Sequence, residues 1–111
     1  METPYHRPVL LHETVEGLAI RENGVYVDVT FGGGGHSVEI LKRLGPKGRL
    51  FAFDQDEAAR ANRPVDSRFE LISANFRFIR QYLKFYGILK VDGILGDFGV
   101  SSHQFDQADR G

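Results

Sequence analysis

The chain has 111 residues, room for one small domain and too little for two. Fourteen Lys and Arg face fifteen Asp and Glu, and a net charge of −1 excludes a compact polybasic nucleic-acid module, whose phosphate binding needs an excess of cations. The absence of Cys excludes disulfide scaffolds, Cys–zinc and iron–sulfur sites, and Cys nucleophiles. No apolar stretch approaches the ~20 residues of a membrane span. Met1 to Leu10 lacks the apolar core of a signal peptide, so the chain reads as cytoplasmic.

The pattern alternates helix and strand. Leu11, Val15, Leu18 and Ala19 have helical spacing within Val9 to Ile20, and Asn23-Gly24 then breaks the chain. Val25 to Val29 is short and β-branched, a strand, and four consecutive glycines follow at Gly32 to Gly35. Val38, Ile40, Leu41 and Leu44 predict a helix stopped by Gly45-Pro46 and Gly48. Leu50 to Phe53 is a second strand ending at Asp54. Asp56-Glu57 suits the start of a short helix ending before Pro64, because carboxylates there meet unpaired N–H groups. Phe69 to Ile72 is a third strand, and Phe76, Ile79, Leu83 and Tyr86 predict a helix closed by Gly87. Val91 to Leu95 is a fourth strand ending near Asp97, and Phe98 to Gly111 reads as mostly loop.

Near-continuous apolar strands separated by helices predict a parallel sheet covered on both faces. Right-handed crossovers make it a doubly wound, Rossmann-like α/β sheet, with ligands bound beyond the carboxyl ends of its strands. The notable polar residues fall there: Asp28 and the glycines, Asp54, Asn75 and Asp97.

Glycines between a strand and a helix let backbone approach a ligand, and the helix start offers free N–H groups. A Walker loop needs Gly-Lys-Ser/Thr, and here the end is Gly35-His36-Ser37. A dinucleotide fingerprint fits Gly32 and Gly34, but Ser37 holds the third glycine position. S-adenosylmethionine suits the pattern better: an acid before the glycines (Asp28), glycines for its amino-acid end, and an acid after the second strand (Asp54) for its ribose. His36 reads as a packing or hydrogen-bonding residue before a catalytic one, and the four His have no metal-ligand spacing, so no metal is assigned. Gly99 to His103 fails as a nucleophile elbow because His103 stands where glycine is required.

Three separated stretches resemble one family, the bacterial 16S ribosomal-RNA cytosine-N4 methyltransferases. They are His6-x-Pro8-Val9-Leu10-Leu11-x-Glu13, then Asp28-x-Thr30-x-Gly32-x-Gly34-Gly35-His36-Ser37, then Asp97-Phe98-Gly99-Val100-Ser101-Ser102-x-Gln104-x-Asp106 with Ala108-Asp109-Arg110-Gly111. The resemblance implies S-adenosyl-L-methionine as cofactor, with Gly34, Gly35 and His36 at its methionine end, Asp54 on the ribose and Phe76 on the adenine. Asp97 and Gln104 then complete the pocket floor, and Asp97 is the candidate for polarising the target amine. The implied substrate is N4 of a cytidine in the 16S rRNA of the small ribosomal subunit. Gly96 departs from the apolar residue common there, and the Asp/Asn-Pro-Pro-aromatic string of many amino-methyltransferases is absent.

Members of that family are longer, with further strands and an inserted helical substrate domain. The resemblance thus makes residues 1–111 the N-terminal portion of a cofactor-binding domain, a sheet truncated to about four strands and inactive on RNA alone. A fourth strand at an uncovered edge predicts a homo-oligomer, since an apolar edge invites pairing. The alternatives are a non-catalytic Rossmann-like dimer and a fragment of a dinucleotide-binding oxidoreductase.

Overall fold

The computed structural model describes residues 15–29, 35–96, 99–101 and 105–106. Strand β1 (Val25–Asp28) leads to helix α1 (Gly35–Arg43), and β2 (Arg49–Phe53) follows. A 3-10 helix (Glu57–Asn62) precedes β3 (Phe69–Ile72). A 3-10 turn (Phe76–Phe78) then runs into α2 (Ile79–Phe85). Four short strands end the described chain: β4 (Lys90–Val91), β5 (Gly93–Gly96), β6 (Gly99–Ser101) and β7 (Phe105–Asp106).

The main sheet has the order β3-β2-β1-β5-β6, and β4 pairs with β7 in a separate two-stranded sheet. The pairs β3·β2, β2·β1 and β1·β5 are parallel, which gives the four parallel strands expected. Side-chain alternation splits the core between the two sheet faces. Tyr26, Leu50, Ala52, Phe69 and Leu95 pack with Ile40 and Leu41 of α1 and with Leu44 just after it. Val27, Phe51, Phe53 and Ile72 pack with Ile79 and Leu83 of α2 on the opposite face. The sheet is therefore doubly covered, with the reversal of strand order falling between β1 and β5.

Several expectations are refined. The fourth strand is not continuous over Val91 to Leu95 but breaks at Asp92. There the Asp92 N–H donates to the Val25 carbonyl at 2.7 Å, and the Asp92 carboxylate accepts the Val25 N–H at 2.9 Å. A side chain thus replaces the backbone acceptor at the start of β1, and the residue cannot also hold regular strand geometry. The segment read as mostly loop after Phe98 contains the short strands β6 and β7, and its other residues lie outside the described ones.

The uncovered edge expected beside the fourth strand is corrected. Strand β6 folds back antiparallel on β5, pairing Ile94 with Ser101 and Leu95 with Val100. Unpaired N–H and C=O groups on an apolar strand favour such a local return, so the stated ground for self-association through that edge is gone. Of the predicted helix over Val9 to Ile20, residues 9–14 lie outside the described residues; Val15 and Glu16 are helical, but the helix ends before Ile20, in a turn at 17–18 followed by Ala19 at a φ of +53°. The segment after Asp56 is helical as expected but of the 3-10 kind, capped by the Asp56 carboxylate, which accepts the Ala58 N–H at 3.0 Å.

Two local devices hold the frame. Helix α2 ends at Gly87, whose φ of +78° lets the Gly87 and Ile88 N–H groups turn back onto the Lys84 and Leu83 carbonyls at 2.9 and 2.8 Å. Before β3, Arg68 forks onto the Asp66 carboxylate at 2.9 and 2.6 Å and reaches the Leu44 carbonyl at 2.8 Å. It thereby ties the start of β3 to the end of α1.

Gly87→Ala is expected to destabilise the fold by about 1 kcal/mol in urea unfolding, through backbone strain alone, since nothing lies within 4 Å of the added Cβ. The hydrogen bonds from Arg68 hold the Asp66 carboxyl at about 2, below its ordinary 3.8. A depressed carboxyl stabilises the fold above its unfolded value and loses that contribution as pH falls toward the folded one. We expect about 1 kcal/mol to disappear between pH ~4 and ~2, the solvent-screened share of the shift, with Asp66→Asn removing this acid-dependent component.

Candidate cofactor site at the strand carboxyl ends

Parallel strands bring their carboxyl ends to one edge of the sheet. Strand β1 delivers Asp28, buried completely, and β5 lies beside it with Leu95 in register with Asp28. On the other side Asp28 faces Ala52 of β2. Asp54 lies two residues further, about 7 Å along a strand spaced about 4.8 Å away. Its N–H donates to the Ile72 carbonyl at 3.1 Å, so the ends of β2 and β3 stay together.

The first turn of α1 stands over β1. Gly35 opens the helix and is exposed, His36 is half-buried, and Ser37 is fully buried. The Ser37 hydroxyl donates to the Asp28 carboxylate at 2.8 Å, joining the two flanks of the glycine segment. A Cβ placed on Gly35 would meet nothing within 4 Å, and its φ is not among the positive ones. Neither turn strain nor close packing requires glycine there. The missing side chain instead leaves open space beside the N–H groups of the first turn, a cradle that suits a small polar ligand group.

Asp54 is half-buried, and one carboxylate oxygen accepts the Asp56 N–H at 2.9 Å. That bond orients the carboxylate at the strand end. Phe76 is half-buried and meets Phe53 edge-on, ring centroids 6.2 Å apart at 81°. Phe53 is also edge-on to Tyr82 at 6.1 Å. Since Phe53 immediately precedes Asp54, the ring of Phe76 is fixed on the same strand end as that acid. Asn75, flagged in the sequence, works as a cap: its side-chain oxygen accepts the Arg77 N–H at 2.8 Å.

The structure therefore brings Gly35, His36, Asp54 and Phe76 to one sheet edge, together with Asp28. Gly34, Asp97 and Gln104 lie outside the described residues. The sequence reading missed the role of Ser37, counting it only as a failed third glycine. The available signal was a small hydroxyl residue at that position with an acid ahead of the glycines. Among the described residues no group of three or more His, Asp and Glu is placed to hold a metal.

Fold and site together define a class, the Rossmann-like α/β domain that binds a cofactor at the strand-order reversal. Residues 3–111 match the model of the MraW methylase family, and the chain belongs to that family. It is 66% identical over 107 residues to ribosomal RNA small subunit methyltransferase H of Christiangramia forsetii, covering 96% of this chain and 35% of the relative. It is 69% identical over 107 residues to the protein of that name from Flavobacterium johnsoniae, with 96% and 35% covered. The chain thus spans about a third of the length of these relatives. A solved Clostridium thermocellum structure, described as that of a candidate rRNA methylase, superposes with a TM-score of 0.60 at 25% identity, covering 65% of this chain and 44% of that one. The family is one of methyltransferases, and its solved neighbour shares the sheet architecture.

Proposed function

We propose that residues 1–111 form the N-terminal portion of an S-adenosyl-L-methionine-binding domain, in an enzyme that methylates N4 of a cytidine in 16S rRNA of the small ribosomal subunit. The observation that carries the cofactor reading is the gathering of Asp28, the open first turn of α1, Asp54 and Phe76 on one sheet edge. The rRNA substrate rests on family membership and on the names of the relatives. No helix among the described residues is long and apolar enough to cross a membrane.

In this reading Gly34, Gly35 and His36 receive the amino-acid end of the cofactor through backbone N–H groups and close approach. Asp54 accepts hydrogen bonds from the ribose hydroxyls, and Phe76 offers its ring to the adenine. The bound cofactor supplies an electrophilic methyl group. A cytosine N4 amine is a poor nucleophile because its lone pair is delocalised into the ring. Asp97 is assigned to accept a hydrogen bond from that amine, drawing it toward sp³ geometry and taking up its proton, while Gln104 closes the pocket floor. Holding amine and methyl in line supplies much of the remaining rate enhancement. The net charge of −1 provides little to neutralise phosphates, so RNA binding is assigned to parts of the enzyme beyond these residues.

Calorimetric titration with S-adenosylhomocysteine, with NAD as control, tests the cofactor reading. A micromolar dissociation constant, about −8 kcal/mol, is expected for the first and none for the second. Asp54→Asn is expected to weaken binding about tenfold through the lost charge-assisted hydrogen bonds. Tighter binding of NAD would overturn the assignment. In a full-length family member, Asp97→Asn is expected to cut turnover on ribosomal subunits about a hundredfold with cofactor affinity changed much less; normal turnover would remove Asp97 from catalysis.

A further inference from the structure

The net charge of −1 conceals a local asymmetry. Between Glu70 and Asp92 the sequence has no acidic residue but carries Arg77, Arg80, Lys84 and Lys90. The first three lie on the 3-10 turn and α2. Ile79 and Leu83 bury one side of this helix against the sheet, so its other side faces solvent. Two ridges run along that side. Arg77, Arg80 and Lys84, spaced i, i+3, i+7, form one. Phe78, Tyr82 and Phe85, spaced i, i+4, i+7, form the other. All six residues are exposed, Phe85 by 81%.

Three large aromatic residues in one row are a patch, unlike the single apolar residues that any surface scatters. Their rings are held in place. Phe85 meets Tyr86 edge-on at 5.2 Å, Tyr82 meets Phe53 at 6.1 Å, and the Arg77 guanidinium lies 5.1 Å from the Phe78 ring centroid. Tyr82 and Phe85, with Gln81 and Tyr86, line a groove of about 210 Å³. Glu70 reaches the inner side of that groove, where it lies against the Tyr86 hydroxyl.

The two ridges together define the chemistry of a partner. The basic ridge calls for anions, and it disfavours a second copy docked through the same face, since cations would meet cations. The aromatic ridge calls for flat apolar faces. Phosphates running beside accessible bases are what an unpaired nucleic-acid strand presents, whereas a duplex keeps its bases stacked on one another. Phe78 to Phe85 spans roughly 10 Å along the helix, the length of about three stacked nucleotides.

We propose that the solvent face of α2 binds an unpaired segment of the RNA substrate, with Phe78, Tyr82 and Phe85 stacking on bases and Arg77, Arg80 and Lys84 neutralising phosphates. This rests on the rRNA reading above and adds a contact outside the cofactor site. The balance of charge over the whole chain still leaves the main grip on phosphates to parts of the enzyme beyond these residues.

The 111-residue chain is titrated, by fluorescence anisotropy at several salt concentrations, with a labelled single-stranded RNA oligonucleotide and with the same strand annealed to its complement. Circular dichroism and thermal unfolding check each variant, and the substituted side chains are exposed, so the fold is expected to survive. Log affinity for the single strand is expected to fall with log salt at a slope of about −2, roughly −0.7 for each of the three cations. Lys84→Gln should bring that slope to about −1.4. Phe85→Ala should weaken binding about tenfold and leave the slope unchanged. Phe85→Tyr keeps a ring and should retain the affinity, whereas Phe85→Leu keeps only apolar bulk and should not. Duplex binding, which offers no unpaired base, should not respond to Phe85→Ala. A wild-type chain that binds no RNA at low salt overturns the proposal, as does a Phe85→Ala chain that binds the single strand normally. Tighter binding of an acidic amphipathic peptide rich in Glu and Leu, undiminished by Phe85→Leu, makes the face a protein-docking surface and overturns it equally. In a full-length family member carrying these residues, Phe85→Ala is expected to raise KM for small ribosomal subunits about fivefold with kcat little changed. An unchanged KM overturns the proposal and leaves the rRNA reading standing. A full-length wild type that methylates no ribosomal subunit defeats that reading and this proposal with it.

Discussion

Strand β1 is fastened at both ends by carboxylates, and the rest of the fold is arranged around it. At its start the Asp92 side chain accepts the Val25 N–H while the Asp92 backbone donates to the Val25 carbonyl, which sets the register between β1 and β5. At its end Asp28 receives the Ser37 hydroxyl, which sets α1 on the sheet. A strand with neighbours on both sides and apolar layers on both faces cannot slip. A one-residue shift would carry Tyr26 and Val27 into each other's layers. Taking a carboxylate out of water is costly unless it is hydrogen-bonded, and both the buried Asp28 and the partly buried Asp92 are placed where a hydrogen bond is needed anyway. One is at a strand start that lacks a backbone acceptor, the other beneath a helix first turn.

That arrangement puts the candidate site at the strand-order reversal. Strands β2 and β3 continue outward from β1 on one side and β5 lies on the other, so α1 and α2 diverge to opposite faces. The divergence opens the crevice that doubly wound sheets use for ligands. Asp54 and Phe76 are kept at its edge by the Asp54–Ile72 backbone bond and by the edge-on contact with Phe53. Their rigidity comes from the sheet, not from the loops that carry them.

The aromatic layer has a second consequence. Phe53, Phe76 and Tyr82 form a ring cluster under the Asp54 end of the sheet, and Phe51 meets Tyr86 at 5.3 Å further down the same face. Burial and the neighbouring Glu70 push the Tyr86 hydroxyl above its ordinary 10.0, so it stays protonated through the neutral range. On the opposite face Tyr26 behaves likewise, its oxygen accepting the Arg21 N–H at 2.8 Å while burial raises its pKa.

The order of strands and helices was legible in the sequence because hydrophobic periodicity and the Gly and Pro breaks are local signals. Phe69 to Ile72 and the Gly87 stop are examples. So were the positions of Asp28, Asp54 and the helix start at Gly35, because a parallel sheet sends every strand end to one edge. The break at Asp92 and the return of Gly99 to Ser101 onto β5 were not legible. Each depends on which backbone groups are left unpaired after distant strands meet, 67 positions apart in the case of Asp92 and Val25. Ser37 belongs with them. Its residue type allows a hydroxyl bond, but only the packing of α1 on β1 decides that its partner is Asp28 and that the bond is sealed from water.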